Sequence, residues 1–144
     1  MRIEVRVEIR PTESEAKVKR ALMNLFDFDE IEVEEFKEIK FLVGKGKGAK
    51  CLSKLYEALR RQQILDAARQ YLEKGRELTG VRFYLHKQAA YAGKVSFCSF
   101  EYSESPLGAI VVYVETSDPD AFIDWLTPRT IDGKPVGERK PPDP

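Results

Sequence analysis

Residues 2–10 read Arg-Ile-Glu-Val-Arg-Val-Glu-Ile-Arg, a strict alternation of apolar and charged side chains. Only an extended strand places Ile3, Val5, Val7 and Ile9 on one face and every charge on the other. The sheet holding this strand must therefore be covered on one side and solvated on the other, which suits an antiparallel sheet. Pro11 ends the strand. Thr12 to Glu15 has the form of a capping box, with Thr12 as N-cap. The helix that follows should bury Val18, Ala21, Leu22 and Leu25, spaced i, i+3, i+4, i+7. Residues 26–30 read as a loop.

Ile31 to Val43 reads as extended, but its alternation slips near Glu35. Either a bulge or a short hairpin would account for the slip. Gly44-Lys45-Gly46-Lys47-Gly48 reads as a flexible basic loop. From Ala49 to Leu78 the pattern is helical with two apolar faces. Leu52, Leu55, Tyr56 and Leu59 form one; Ile64, Leu65, Ala68, Tyr71 and Leu72 form the other. At helical pitch these faces differ by roughly 160°. The stretch should therefore be two helices or a sharply kinked one, broken near Arg61-Gln62-Gln63, with Gly75 and Gly80 after the second.

Val81, Phe83 and Leu85 alternate as a strand. Residues 87–93 read as a loop, and a strand resumes at Val95 and Phe97. Ser103 to Gly108 has turn composition. Ala109 to Glu115 is almost continuously apolar and β-branched, as a central strand should be. Asp118-Pro119 signals an N-cap with proline at the first helical position, opening a short helix that buries Phe122, Trp125 and Leu126. The expected fold is α+β, a mainly antiparallel sheet with helices packed on one face. Residues 1–128 should form a single domain, and residues 129–144, rich in proline, an extended tail that is partly disordered.

The chain carries no formal net charge, yet its charge is segregated. Residues 43–94 hold twelve Lys and Arg against four acids. The flanking thirds are acidic. A segregated field of this kind favours a polyanion such as RNA. The candidate contacts are Lys45, Lys47, Lys50, Arg60, Arg61, Lys87, Gln88 and Lys94, with Tyr91 a candidate for stacking on a base. Tyr91 could equally belong to the core of a tight loop. The Arg60 and Arg61 pair could equally be a solvated helix face.

Gly44, Gly46 and Ala49 match the glycine spacing of a dinucleotide loop, but the acid expected after the next strand is missing: Val81 to His86 ends in His-Lys. Gly-Lys-Ser/Thr is also absent, so this is no P-loop. A single histidine leaves no two-histidine metal site and little basis for a catalytic triad. Cys51 and Cys98 lack CxxC spacing and fit a reducing compartment. Asp118, Asp120 and Asp124 are explained by helix capping and the helix dipole. No apolar run approaches a membrane span, and the charged opening is unlike a signal peptide. The expectation is a cytoplasmic RNA-binding protein with no enzymatic role, no cofactor and no metal. The alternative is a protein-interaction module that docks on an acidic partner or self-associates. A phosphate-handling enzyme centred on Gly44 to Lys50 is a third reading.

Several segments carry a family resemblance: His86-Lys-Gln-Ala-Ala-Tyr-Ala-Gly-Lys-Val95, Ser105-Pro-Leu-Gly-Ala-Ile110, Ile123-Asp-Trp-Leu-Thr-Pro128 and Ile64-Leu-Asp-Ala-Ala-Arg69. In this order they resemble a family of small archaeal proteins described as predicted RNA-binding proteins or predicted exosome-associated subunits. The likeness covers most of the chain. It implies a fold like that of the large-subunit ribosomal protein that binds 5S RNA, and a place in an RNA-processing complex. It brings no catalytic residues. The family tends to carry asparagine where this chain has His86.

Overall fold

The structure, a computed structural model, describes residues 1–99 and 108–143. β1 (Arg2–Ile9) follows its alternation, with Ile3, Val5, Val7 and Ile9 buried. α1 (Glu15–Leu25) buries Val18, Ala21, Leu22 and Leu25 as the spacing requires. Its N-cap is Ser14, which accepts from the Lys17 amide, and not the Thr12 of the expected capping box. The reason lies one residue earlier. Glu13 is drawn into a turn whose backbone bonds to Arg10, so the helix starts two residues late.

β2 (Glu30–Phe36) and β3 (Ile39–Lys47) form a hairpin, which resolves the slip near Glu35 without a bulge. Lys37 and Glu38 make the two-residue connection, both with positive φ (51° and 67°). That is the backbone of a type I′ turn, which matches strand twist but is normally made by Asn and Gly. β3 also overturns the flexible-loop reading of Gly44 to Gly48. It continues to Lys47, paired with β1 along its whole length. The glycines are there for room. A Cβ on Gly44 would strike the Phe28 ring, and one on Gly46 would strike the Cys51 sulfur.

A 3₁₀ turn over Ala49–Leu52 leads into α2 (Ser53–Arg61), and α3 (Leu65–Lys74) follows. The break falls where the opposed apolar faces demand it, with Gln63 at φ 57°. Leu55, Ala58 and Leu59 of α2 and Leu65, Ala68 and Leu72 of α3 are all buried. Gln62 fixes the corner by bonding Val95 twice, Nε2 donating to the carbonyl (2.9 Å) and Oε1 accepting from the amide (2.8 Å).

β4 (Arg76–Glu77) precedes β5 (Gly80–His86). Lys87–Tyr91, expected as loop, is a short helix, α4, which packs on α1: Asn24 donates to the Ala90 carbonyl. β6 (Phe97–Cys98), β7 (Ala109–Glu115) and α5 (Pro119–Leu126) follow. Asp118 caps α5 as expected, accepting from the Ala121 amide. Of the expected turn at 103–108, all but Gly108 lies outside the described residues.

The described pairings of β1 to β7 are all antiparallel, in the order β2-β3-β1-β7-β5-β4, with β6 also on β5. This is the expected α+β architecture. β7 lies between β1 and β5, hence its apolar composition. The buried face of the sheet meets α1, α2, α3 and α5 in one core that includes Phe26, Phe83 and Phe122. The face opposite carries Arg2, Glu4, Arg6 and Lys45 beside Tyr84 and Tyr113.

Where an extended tail was expected, β8 (Thr130–Ile131) and β9 (Lys134–Pro135) make a small hairpin. Glu138 bonds Arg60 and Tyr56, and Asp143 bonds Thr116 and Ser117. These bonds, led by the Ser117 hydroxyl and amide, hold the Asp143 carboxyl down to about 2.

The β2–β3 turn generates a prediction. Two side-chain-bearing residues at positive φ cost on the order of 1–2 kcal/mol each, partly offset by the flexibility glycine adds to the unfolded chain. Replacing Lys37 by Asn and Glu38 by Gly should therefore stabilise the fold by about 1 kcal/mol, read as a higher urea midpoint at unchanged m-value.

Candidate nucleic-acid interface

The nine residues singled out in the sequence separate into three environments. Lys45 and Lys47 are exposed at the end of β3, and Lys50 is exposed just beyond it. Lys50 pairs with Asp29 (3.6 Å), whose other oxygen accepts from the Lys47 amide (2.8 Å). Lys47 lies directly opposite Arg2 on β1, so two cations neighbour one another across the strands. Like charges in that position repel, and Glu115, opposite Arg2 on β7, partly offsets the pair. Next to the pair, Lys45 is opposite Glu4, which is opposite Tyr113 on β7. Arg2, Lys45, Lys47 and Tyr113 help to line a groove of about 690 Å³, with Glu4, Asp29, Glu30 and Glu115 among its acidic walls. The Arg82 guanidinium lies 4.8 Å from the Tyr113 ring centre.

Arg61, Gln88 and Lys94 are exposed on the helical side. Arg61 precedes Gln62 and Lys94 precedes Val95, so these two cations flank the Gln62–Val95 bridge.

Arg60 and Lys87 turn inward, and the structure corrects their reading as phosphate contacts. Arg60 lies over the Tyr56 ring (3.4 Å) and donates to Glu138 (2.7 Å) and to the Tyr56 and Leu126 carbonyls. Lys87 is completely buried. Its ammonium donates to the Glu8 carbonyl (2.7 Å) and to Glu13 Oε1 (2.9 Å). Tyr91 donates to Glu13 Oε2 (2.9 Å) while its ring stays partly exposed. It is thus anchored by its hydroxyl, and neither fully core nor free.

Burial pushes the Glu13 carboxyl up, but hydrogen bonds from Lys87, the Arg10 amide and Tyr91 outweigh it and hold the group below the ordinary carboxylate range. Burial, then the bond to Glu13, pushes the Tyr91 phenol up to about 12. Burial likewise pushes the Cys51 thiol up, so Cys51 is a packed thiol at the back of Gly46. The Gly44–Ala49 spacing forms no phosphate loop, because its first residues are strand. Asp120 and Asp124 pair with Arg76 and Arg69.

Sequence reasoning missed the open sheet face as a surface. Arg2 and Arg6 were read as solvated charge, and Arg82 and Tyr113 were not singled out. The available signal was alternation: β1 and β5 bury their odd positions and β7 its even ones, so Arg2, Arg82 and Tyr113 all fall on the opposite face.

An open antiparallel sheet backed by helices, with cations and aromatics on its free face, defines a class of small α+β domain found among nucleic-acid-binding proteins. Residues 2–116 match a family model described as RNA binding. The chain is 46% identical over 141 residues to the UPF0201 protein of Sulfurisphaera tokodaii, covering 98% of this chain and 97% of that one. It is 44% identical to that of Methanopyrus kandleri, covering 98% and 93%. The chain belongs to the UPF0201 family. A crystal structure of the Methanococcus jannaschii UPF0201 protein superposes with a TM-score of 0.79 at 34% identity, covering 95% of this chain and all of that one. Protein AF2318 of Archaeglobus fulgidus, at 23% identity and a TM-score of 0.60 over 81% and 84% of the chains, shares the fold. Among the described residues no helix is long and apolar enough to cross a membrane.

The buried pair sets a prediction. Lys87→Ala leaves the Glu13 carboxylate uncompensated and should cost about 3–5 kcal/mol at neutral pH, whereas Lys94→Ala should stay within about 0.5 kcal/mol of wild type. Glu13's depressed folded pKa adds stability above its ordinary value of 4.5, and that stability is lost as pH falls through the folded value. The gap between wild type and Lys87→Ala should therefore narrow on acidification, as urea unfolding at several pH values would show.

Proposed function

We propose that this protein binds RNA through its phosphates and serves as an accessory to RNA processing, acting by binding and not by catalysis. The observation that carries the proposal is the match of residues 2–116 to the family model described as RNA binding. The exposed cations support it. Lys45, Lys47 and Lys50 with Arg2 offer one phosphate-binding cluster at the open end of the sheet, and Arg61, Gln88 and Lys94 offer a second on the helical side. Tyr113, beside Lys45 and Arg2 in the groove, is a better stacking candidate than Tyr91, whose hydroxyl is tied to Glu13.

A second reading has its own support. β2 is the free edge of the sheet, and Val33, Phe36 and Ile39 on its hairpin are exposed. An open edge with exposed apolar residues favours strand addition by another chain. The acids Glu30, Glu32, Glu34 and Glu35 make a basic partner a better fit there than the acidic partner expected from the overall charge pattern.

The test is fluorescence anisotropy with a labelled single-stranded RNA across a salt series. Affinity should fall steeply with salt, with log K against log[salt] sloping by about −0.7 for each phosphate neutralised. Lys45→Glu with Lys47→Glu should weaken binding and flatten the slope by about one to one and a half. Folded protein that binds no RNA at low salt would overturn the proposal and leave the edge-strand reading standing.

A further inference from the structure

A second charged cavity lies away from the open sheet face. It occupies about 700 Å³ between α3, α5 and the residues of the β8–β9 hairpin region, and four arginines line it: Arg69, Arg76, Arg129 and Arg139. Three carboxylates line it too, and each is already engaged. Arg69 is saturated: its Nε donates to Glu73, one terminal nitrogen to Asp124 and the other to the Thr127 carbonyl, all at 2.9 Å. Arg76 grips both oxygens of Asp120 (2.6 and 3.0 Å). Each acid of the cavity is thereby held by an arginine, and the lining as a whole carries four guanidinium groups against three carboxylates.

Arg129 and Arg139 differ. Both are exposed, and among the described residues neither side chain makes a hydrogen bond or an ion pair. Their backbone is nevertheless held. The Arg129 carbonyl accepts from the Val136 amide (2.8 Å), and the next residue, Thr130, donates its hydroxyl to Asp66 (2.7 Å). Arg139 follows Glu138, whose two oxygens accept from Arg60 (2.7 Å) and the Tyr56 hydroxyl (2.6 Å). Two arginines whose side chains have no partner among the described residues therefore line one cavity, whose three acids are each already held by another arginine.

We propose that this cavity is a binding site for a phosphate-bearing ligand. A guanidinium presents a planar fork that binds two oxygens at once. One carboxylate would satisfy one fork. Two free forks suit an anion with several oxygens and two negative charges, as in a phosphate monoester or a pyrophosphate. Ile123, Pro128 and Val136 supply an apolar wall for the rest of the ligand. The site is distinct from the Lys45–Lys47 cluster and does not depend on the RNA reading. The phosphate could come from a small phosphorylated compound or from the end of a nucleic-acid chain, and the chemistry of capture is the same.

The experiment is an NMR titration of the full chain with inorganic pyrophosphate at low ionic strength. Saturable shifts are expected at the amides of Arg129, Gly137 and Arg139. Arg129→Gln with Arg139→Gln should weaken binding about tenfold or more, since two charge-assisted contacts are lost, whereas Lys19→Gln, at an exposed lysine of α1, should bind as wild type. Both arginines are exposed and unpaired, so the variant should keep the wild-type urea midpoint; should it misfold, Arg139→Gln alone carries the test. No saturable shift at these amides, or an arginine variant that binds as well as wild type, overturns the proposal. The source follows from competition. If single-stranded RNA displaces pyrophosphate and the arginine variant weakens RNA binding, the phosphate is that of RNA. If RNA leaves pyrophosphate in place, the ligand is a small phosphorylated compound. A protein that binds pyrophosphate here but no RNA would keep this site and remove only the RNA function.

Discussion

The Lys87 ammonium, buried against Glu13 and the Glu8 carbonyl, ties together three parts of the chain that have no other strong reason to meet. Glu8 lies near the end of β1, Glu13 in the turn before α1, and Lys87 at the start of α4. An unpaired charge in that position would carry a large desolvation cost, so the pair forms together or not at all. Glu13 is held at both oxygens, by Lys87 and Tyr91, while it also accepts from the Arg10 amide. The same bonds delay the start of α1 to Ser14 and bring α4 onto α1. Lys87 and Tyr91 therefore belong to a structural joint, while Lys94, beyond α4, stays exposed.

With that joint in place, the sheet has one face committed to the core and one left open. β1 dictates the division by its alternation, and β3, β7 and β5 inherit it through their register. Lys47 faces Arg2 because Gly44 and Gly46 let β3 lie flat against Phe28 and Cys51. Lys45 and Tyr113 then share a row with Glu4. The meeting of Arg2 and Lys47 is a consequence of register, made of residues far apart in sequence. This explains why net charge along the chain located the basic third but not its working surface. Part of that charge, Arg60, Arg69 and Lys87 above all, is consumed by internal pairs.

Much of the fold was legible. β1 and α1 are periodic, β7 is an apolar β-branched run, α5 carries its expected cap at Asp118, and the opposed faces of residues 49–78 require the break found at Gln63. What escaped shares one physical character: the decisive partner lies far away in sequence. A Gly-Lys-Gly-Lys-Gly run has no side-chain periodicity to read, and only Phe28 and Cys51 explain its glycines. The β2–β3 turn lacks the Asn or Gly that would announce it. Lys87 and Glu13 are separated by 74 residues. Of the candidate contacts, Lys45, Lys47, Lys50, Arg61, Gln88 and Lys94 are exposed, which the sequence could suggest. That Lys47 would sit beside Arg2, and Lys87 inside, it could not.

RNA binding of the kind proposed would place the polymer on the open sheet face, at Arg2, Lys45 and Lys47. Mapping backbone amide shifts of the isotope-labelled protein on addition of single-stranded RNA tests it most directly. Saturable shifts are expected at Arg2, Lys45, Lys47 and Tyr113, with the amides of β2 unaffected. Shifts confined to β2, or to α4 around Lys87 and Tyr91, with the β1–β3 end silent, would contradict it.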